Sequence, residues 1–295
     1  MQTRVALQPG SPTLLDGRWK LRPLGSSAFC DTWQAQRGKQ KLFVKSAGPA
    51  GAAMLRAEAD GVRALAATGC IRVPAVDSLS ERPGGGMLLA LEWLDFARPD
   101  ASFGRRVGQA LAALHAAPCP LEPASFGWRS DNYIGATPQR NTPLHQPSRT
   151  GWMAFWAKAR LDCMRDRLSP HAAELRDAVE AVAEALPRIL SGEPPPRPAL
   201  IHGDLWQGNW EMLADGTPVV FDPAVSCSDP GAELAMMELF GSPPPGFRSA
   251  YEEAGGHWPG PECLALYQLY HLLNHVVLFG AGYAPHALRV ARSLA

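Results

Sequence analysis

Short apolar runs alternate with turn material from Arg18 to Lys45, reading WKLRPL, GSS, AFCDTWQA, RGK and LFVK, and this alternation predicts a small antiparallel sheet. A helical pattern over about Ala50 to Ala67 follows, broken by Gly69 and Cys70 ahead of IRVPAV. A second strand pair is expected around the GGG turn, with LLALEWL as its second member. After Pro99 the period changes. Phe103, Val107, Leu111 and Leu114 recur at helical spacing, as do Leu175, Val179, Val182, Leu186 and Ile189. Trp152, Phe155, Trp156, Leu161 and Met164 do so less regularly. The expected fold class is therefore α+β, strand-rich over residues 1–94 and mainly helical over 95–295, with the connection near Glu92, Trp93 and Leu94. The stiff segments GEPPPRP and GSPPPG end helices rather than act as flexible linkers.

Composition narrows the function classes. An apolar fraction of 46% with 9 Trp and 10 Phe argues for a packed globular chain rather than a disordered one. Its 28 basic and 28 acidic residues cancel, leaving no electrostatic footprint for nucleic acid. No apolar run reaches the roughly 18 residues of a membrane span, and the N-terminus MQTRVALQPGSPTLLDGRW lacks a signal-peptide core. The six cysteines, at 30, 70, 119, 163, 227 and 263, form no CxxC pair. Reduced thiols in a cytoplasmic protein are expected.

The candidate chemistry starts at His202-Gly-Asp-Leu-Trp-Gln-Gly-Asn209, which is followed by WEMLADGTPVVFDPA. Asp215-Gly216 between apolar segments predicts a two-residue hairpin, with strand partners whose numbers sum to 431. Asn209 would then face Asp222, and two oxygen-bearing side chains at a hairpin base suit a hard cation such as Mg2+. Asp204 would be left to accept a proton from a hydroxyl nucleophile, the division of labour used in phosphoryl transfer. Taken alone, Asp204 fits an Asx turn and Asp222 a helix cap; the three positions together favour catalysis. His202 is expected to brace the loop rather than act as base. Glu58 shares a stripe with Leu55, Val62 and Leu65, so its carboxylate requires a cationic partner.

The stretches HGDLWQGNW and VVFDPAVSCSDPGAELAMMELFG, with FGWRSDNYIGATPQRN, GWMAFWAKARL and LYQLYHLLNHVVLFG, resemble the fructosamine kinase and ketosamine kinase family. That family is a branch of the two-lobed protein-kinase-like fold related to aminoglycoside phosphotransferases. The resemblance runs roughly from Leu21 to Tyr283. It implies ATP and Mg2+ as cofactors, a nucleotide-binding lobe over 1–94, and Lys45 as the partner of Glu58. It also implies a phosphate-covering turn at Gly25, Ser26 and Ser27, where the family carries Gly-Gly, and adenine contacts from the backbone of Glu92 and Leu94. Asp204 would be the base, and Asn209 and Asp222 the metal ligands. On the acceptor side it implies Asp131, Asn132, Tyr133, Tyr267 and Asn274, with His271 as a helix histidine or pocket donor. Trp206 is expected against substrate and Trp210 in the core.

After Asp222 the family's Gly-Asp-Arg-Glu and later aspartate are replaced by Ser228-Asp229-Pro230-Gly231 and Glu233, a departure bearing on substrate range and local stability. The implied reaction is phosphorylation of the 3-hydroxyl of a small-molecule or protein-linked ketosamine by a monomer or weak homodimer. Phosphorylation of an aminoglycoside or amino alcohol, and nucleotide binding without turnover, remain the rival readings.

Overall fold

A computed structural model describes residues 18–27, 29–82, 84–144 and 146–295. The N-terminal segment read above, apart from Arg18 and Trp19, and Ala28 of the phosphate turn lie outside the described residues.

Strands β1 (Lys20–Ser26), β2 (Asp31–Arg37) and β3 (Gln40–Ala47) form a meander, and helix α1 (Pro49–Thr68) follows. Strands β4 (Val76–Arg82) and β5 (Gly86–Glu92) complete an antiparallel sheet in the order β1, β2, β3, β5, β4. Pro49 starts α1 where its missing N–H costs nothing, and Gly69, at φ 65°, closes it in the left-handed region. Alternation along β3 splits the sheet's two faces. Leu42 and Val44 pack with Ala35, Leu88 and Ala90 on one face. The other face carries Phe43, Lys45 and Ala47 beside Leu89 and Leu91, under Leu55 and Ala59 of α1. Lys45 is thus carried into an apolar interface by strand geometry.

The chain leaves this sheet at Glu92, and β6 (Phe96–Ala97) already pairs with a strand of the second lobe. That lobe is mainly helical, with α2 (Phe103–Ala116), the hairpin β7 (Asn132–Ile134) and β8 (Thr137–Gln139), and α3 (Arg149–Trp156). A π-helical turn spans Ala157–Asp162, before α4 (Cys163–Arg165) and α5 (Ala173–Ile189). The irregular aromatic period now has a cause. Trp156 and Leu161, both buried, are separated by the five-residue step of a π-turn.

Next come β9 (Ala199–Ile201), β10 (Trp210–Leu213), β11 (Pro218–Val220) and β12 (Ser226–Ser228). Helices α6 (Gly231–Leu239), α7 (Phe247–Glu253), α8 (Pro261–Phe279) and α9 (Ala284–Leu294) end the chain. β12 pairs antiparallel with β9, so the segment after Asp222 lies beside the strand that leads into His202.

Two expectations are corrected. The hairpin is one residue longer in its loop than predicted: Trp210 pairs with Val220 and Met212 with Pro218, so partner numbers sum to 430. Gly216, at φ 88°, takes the left-handed position of a three-residue loop, its N–H donating to Leu213 O at 2.9 Å. The second correction concerns the thiols. Cys119, in the loop after α2, and Cys227, in β12, are joined as a disulfide across 108 residues of sequence. No short spacing motif signals such a pairing, because tertiary packing alone brings the two positions together. Cys30, Cys70, Cys163 and Cys263 are free. Among the described residues no helix is long and apolar enough to cross a membrane.

Candidate active site

The loop from His202 to Asn209 is anchored from below. Glu233, fully buried on α6, accepts the His202 N–H at 3.1 Å on one carboxylate oxygen and the Gly203 N–H at 2.6 Å on the other. His115 of α2 lies 3.3 Å from the same carboxylate, and its other nitrogen meets the Tyr251 hydroxyl at 2.8 Å. Burial alone would raise the Glu233 carboxyl, but His115, His202 and the Gly203 N–H hold it below the ordinary range. Its part in the site was missed: Glu233 stands where the resemblance expects aspartate, and that substitution was the only signal in the sequence.

His202 is buried, with Nε2 donating to Phe221 O at 2.9 Å while Nδ1 accepts the Asp204 N–H at 3.3 Å. Burial depresses its pKa, so it remains a neutral brace. Gly203 is obligatory: its φ is 84°, and a Cβ there would meet Ala224 O at 2.2 Å.

Asp204 borders a cleft of about 260 Å³ together with Lys45, Glu58, Asn209 and Asp222. Burial first, then the Asp222 and Glu233 carboxylates, hold its pKa well above the usual range. Asn209 donates Nδ2 to the Asp204 backbone oxygen at 2.7 Å, which leaves its Oδ1 as an acceptor. The corrected register moves its cross-strand partner from Asp222 to Phe221, whose N–H donates to Asn209 O at 3.1 Å. Asp222 nevertheless reaches the cleft because its backbone turns at φ 60°, the one positive φ outside glycine among the described residues.

From the sheet lobe, Lys45 Nζ lies 2.7 Å from Asp222 and 2.8 Å from Glu58. The lysine ammonium is held charged: burial opposes it, and the two carboxylates outweigh burial. Glu58 is pushed above the usual carboxylate range by its own burial and by Asp222, against the pull of Lys45. Asp222 and Asn209 give two oxygen donors on one cleft, a fit for a hard cation that completes its shell with waters and phosphate oxygens.

A second, apolar slot of about 360 Å³ adjoins the cleft at Asp222, between Leu24, Phe43 and Leu91 on one side and residues 92–96 and Phe221 on the other. The Glu92 N–H is committed to Ala75 O at 2.8 Å, which takes up that half of its backbone within the protein, and its carboxylate pairs with Arg72 at 2.6 Å. Leu94 borders the same slot. In the turn between β1 and β2, the Ser27 N–H donates to Cys30 O at 2.8 Å and Ser26 Oγ to Asp31 at 2.5 Å, so these groups close the turn on itself. Gly25 and Ser26 line a shallow pocket with Pro23, Leu24, Asp31 and Trp33. Cys30 is a buried filler of the sheet, its thiol pKa raised by burial.

On the opposite wall Trp206 is 40% exposed and lines the cleft with Tyr133 and Asn132, whereas Trp210 is buried in the core. Asp131 is outside the lining and accepts the Asn141 N–H at 2.7 Å. Three further positions expected near the acceptor do not border this cleft. Tyr267 is buried, its hydroxyl accepting from Trp152 Nε1 at 2.9 Å. His271 is buried, with its pKa pushed down to about 3 by burial. Asn274 is buried, its Nδ2 donating to Ile134 O at 3.4 Å.

Asp229 lies in a separate cavity with Glu193 and accepts the Gly231 N–H at 2.7 Å at the start of α6. Burial raises it from 3.8 to about 6. Between those values the folded chain binds a proton that the unfolded chain has lost, so this group's contribution to stability falls as pH rises through that window. Asp229→Asn keeps the acceptor and removes the charge. Urea unfolding should show it more stable than wild type at pH 7, on the order of 2 kcal/mol, with no difference near pH 4. An equal difference at both pH values would refute this.

Sequence comparison agrees with the geometry. The family model for fructosamine kinase matches residues 18–295. The probable ketoamine kinase slr1563 of Synechocystis is 41% identical over 256 residues, covering 86% of this chain and 83% of the relative. The chloroplastic protein-ribulosamine 3-kinase of Oryza sativa subsp. indica is 34% identical over 256 residues, covering 84% of this chain and 71% of the relative. A solved structure from Thermobifida fusca YX-ER1, provisionally named a fructosamine-3-kinase, superposes with a TM-score of 0.79 at 34% identity, covering 94% of each chain. With the match spanning both lobes and the cleft between them, the chain belongs to the fructosamine kinase family, phosphotransferases of the protein-kinase-like fold.

Proposed function

We propose that this chain transfers the γ-phosphoryl group of ATP to the 3-hydroxyl of a ketosamine, fructosamine or ribulosamine. The observation that carries the reading is the convergence of Lys45, Asp204, Asn209 and Asp222 on one cleft that opens at Asp222 into an apolar slot. A planar base fits the slot, which puts its phosphates beside Lys45 and makes residues 1–94 the nucleotide-binding lobe. Asp204 accepts the proton of the acceptor hydroxyl as that oxygen attacks phosphorus, and its raised pKa suits it to hold the proton. Lys45 neutralises charge on the phosphates that remain with the nucleotide. Asn209 and Asp222 would hold Mg2+, which supplies further neutralisation of phosphate charge when bound. Trp206 and Tyr133 form the wall against which the sugar or the amine substituent stacks. Phosphorylation makes the carbon–nitrogen adduct labile, so the product chemistry is removal of sugar from amines.

A coupled ATP-turnover assay across ribuloselysine, fructoselysine and unrelated amino alcohols tests this. Turnover of at least one ketosamine in clear preference to the alcohols is expected, and turnover confined to the alcohols would overturn the assignment.

A further inference from the structure

Arg160 sits in the π-turn with 2% exposure, and among the described residues its hydrogen bonds go to carbonyl and amide oxygens rather than to a carboxylate. Its guanidinium lies over the rings of Phe155 and Tyr270, at 4.8 and 5.5 Å from their centroids. A buried cation without an ion-pair partner is expensive, and an apolar side chain would usually serve the core as well. Its neighbours show what it does. Arg160 Nη2 donates to Asn141 Oδ1 at 3.0 Å, Asn141 Nδ2 to Asn132 Oδ1 at 2.6 Å, and Asn132 Nδ2 to Val225 O at 2.8 Å. A second branch starts at the Tyr270 hydroxyl, which donates to Gln139 Oε1 at 2.8 Å. Gln139 Nε2 then donates to Asn132 Oδ1 at 2.9 Å and to Ala224 O at 3.3 Å.

Guanidinium has donors only, and that fixes the direction of the first branch. Asn141 must turn its oxygen to Arg160 and its nitrogen inward, Asn132 must follow, and the last donor is delivered to a backbone carbonyl. Both branches end on Ala224 and Val225, two and three residues beyond Asp222. On its other side Asp222 is held by Lys45.

We infer that Arg160 is a positioning residue that acts through Asn141 and Asn132 to fix the backbone carrying Asp222, and so sets the affinity of the site for its divalent cation. This rests on the reading of Asp222 as a metal ligand. It gives Gln139 and Asn141 a role beneath the cleft wall that Asn132 and Tyr133 line.

The test is Mn2+ binding in the presence of AMP-PNP, measured by calorimetry without any ketosamine, on wild type, Arg160→Met, Arg160→Lys, Asn141→Leu and the Arg160→Met/Asn141→Leu double variant. Loss of an outer support of a metal ligand typically costs about 10–100-fold in affinity. Arg160→Met and Asn141→Leu should each weaken Mn2+ at least about tenfold, Arg160→Lys should recover part of the loss, and the double variant should be no worse than either single one. The half-saturating Mg2+ concentration for turnover should rise in step, while the ketosamine KM stays within about twofold. Unchanged Mn2+ affinity in a folded Arg160→Met protein would overturn the inference, as would additive losses in the double variant. Should Arg160→Met not fold, Gln139→Glu places an oxygen against Ala224 O and must weaken Mn2+ for the inference to stand. A wild type that binds Mn2+ and AMP-PNP but phosphorylates no ketosamine would count against the proposed substrate and leave this test intact.

Discussion

Asp204→Asn is expected to lower kcat at least about 100-fold, because it removes the carboxylate that accepts the proton in the proposed reaction while preserving shape. The residue does not hold the loop together. Its backbone N–H and C=O meet His202 and Asn209, and the supports from Glu233 reach the neighbouring His202 and Gly203. The variant should therefore fold normally and bind AMP-PNP with wild-type affinity. Removing a raised, buried carboxylate also relieves repulsion with Asp222 and Glu233, so its urea midpoint should not fall. Initial rates against the preferred ketosamine, with calorimetric nucleotide binding alongside, check both halves. Wild-type kcat would remove Asp204 from the base role, and a large loss of nucleotide affinity would reassign it to the phosphate side.

Lys45→Met should have the other large effect, and on two measurements at once. Lys45, 5% exposed, holds its ammonium between Glu58 and Asp222, so the variant strands two carboxylates. Removing one partner of a buried ion pair costs about 3–5 kcal/mol. The lower end of that range applies, since Asp222 keeps 45% side-chain exposure and Glu58 is already inclined to take up a proton. Nucleotide affinity should fall roughly 10–100-fold as well, the worth of a lost charge-assisted contact. Glu58→Gln keeps an acceptor for Lys45 and should be markedly milder on both. A Lys45→Met protein that unfolds earlier but binds AMP-PNP like wild type would separate the lysine's structural role from any role in phosphate binding.

The features legible in the sequence were those written in local code. α1 could be read from its period and the break at Gly69, and the same period put Glu58 on the apolar stripe, while Lys45 as its partner came from the family resemblance. The HGD loop was legible because glycines and chemistry-bearing residues crowd into eight positions. The hairpin register was not, because an Asp-Gly pair serves a two-residue turn and a three-residue loop equally well, and only the strand pairing decides. On α8 the sequence offered Tyr267, His271 and Asn274, yet residues 269–274 are all buried. A helix enclosed on every side has no polar face, so its period cannot say which residues turn toward a ligand. The amide relay was not legible: the resemblance put Asn132 on the acceptor side, and the relay's acceptors are backbone atoms some ninety residues away.

Asp222 carries a consequence for anyone redesigning this chain. A left-handed backbone costs a non-glycine residue roughly 1 kcal/mol or more, and glycine would take that conformation freely. Position 222 therefore carries two opposed terms: glycine would release the backbone strain and would also withdraw a carboxylate from the buried Lys45 ammonium. A library varied at this position keeps the carboxylate only while the ion pair outweighs the strain.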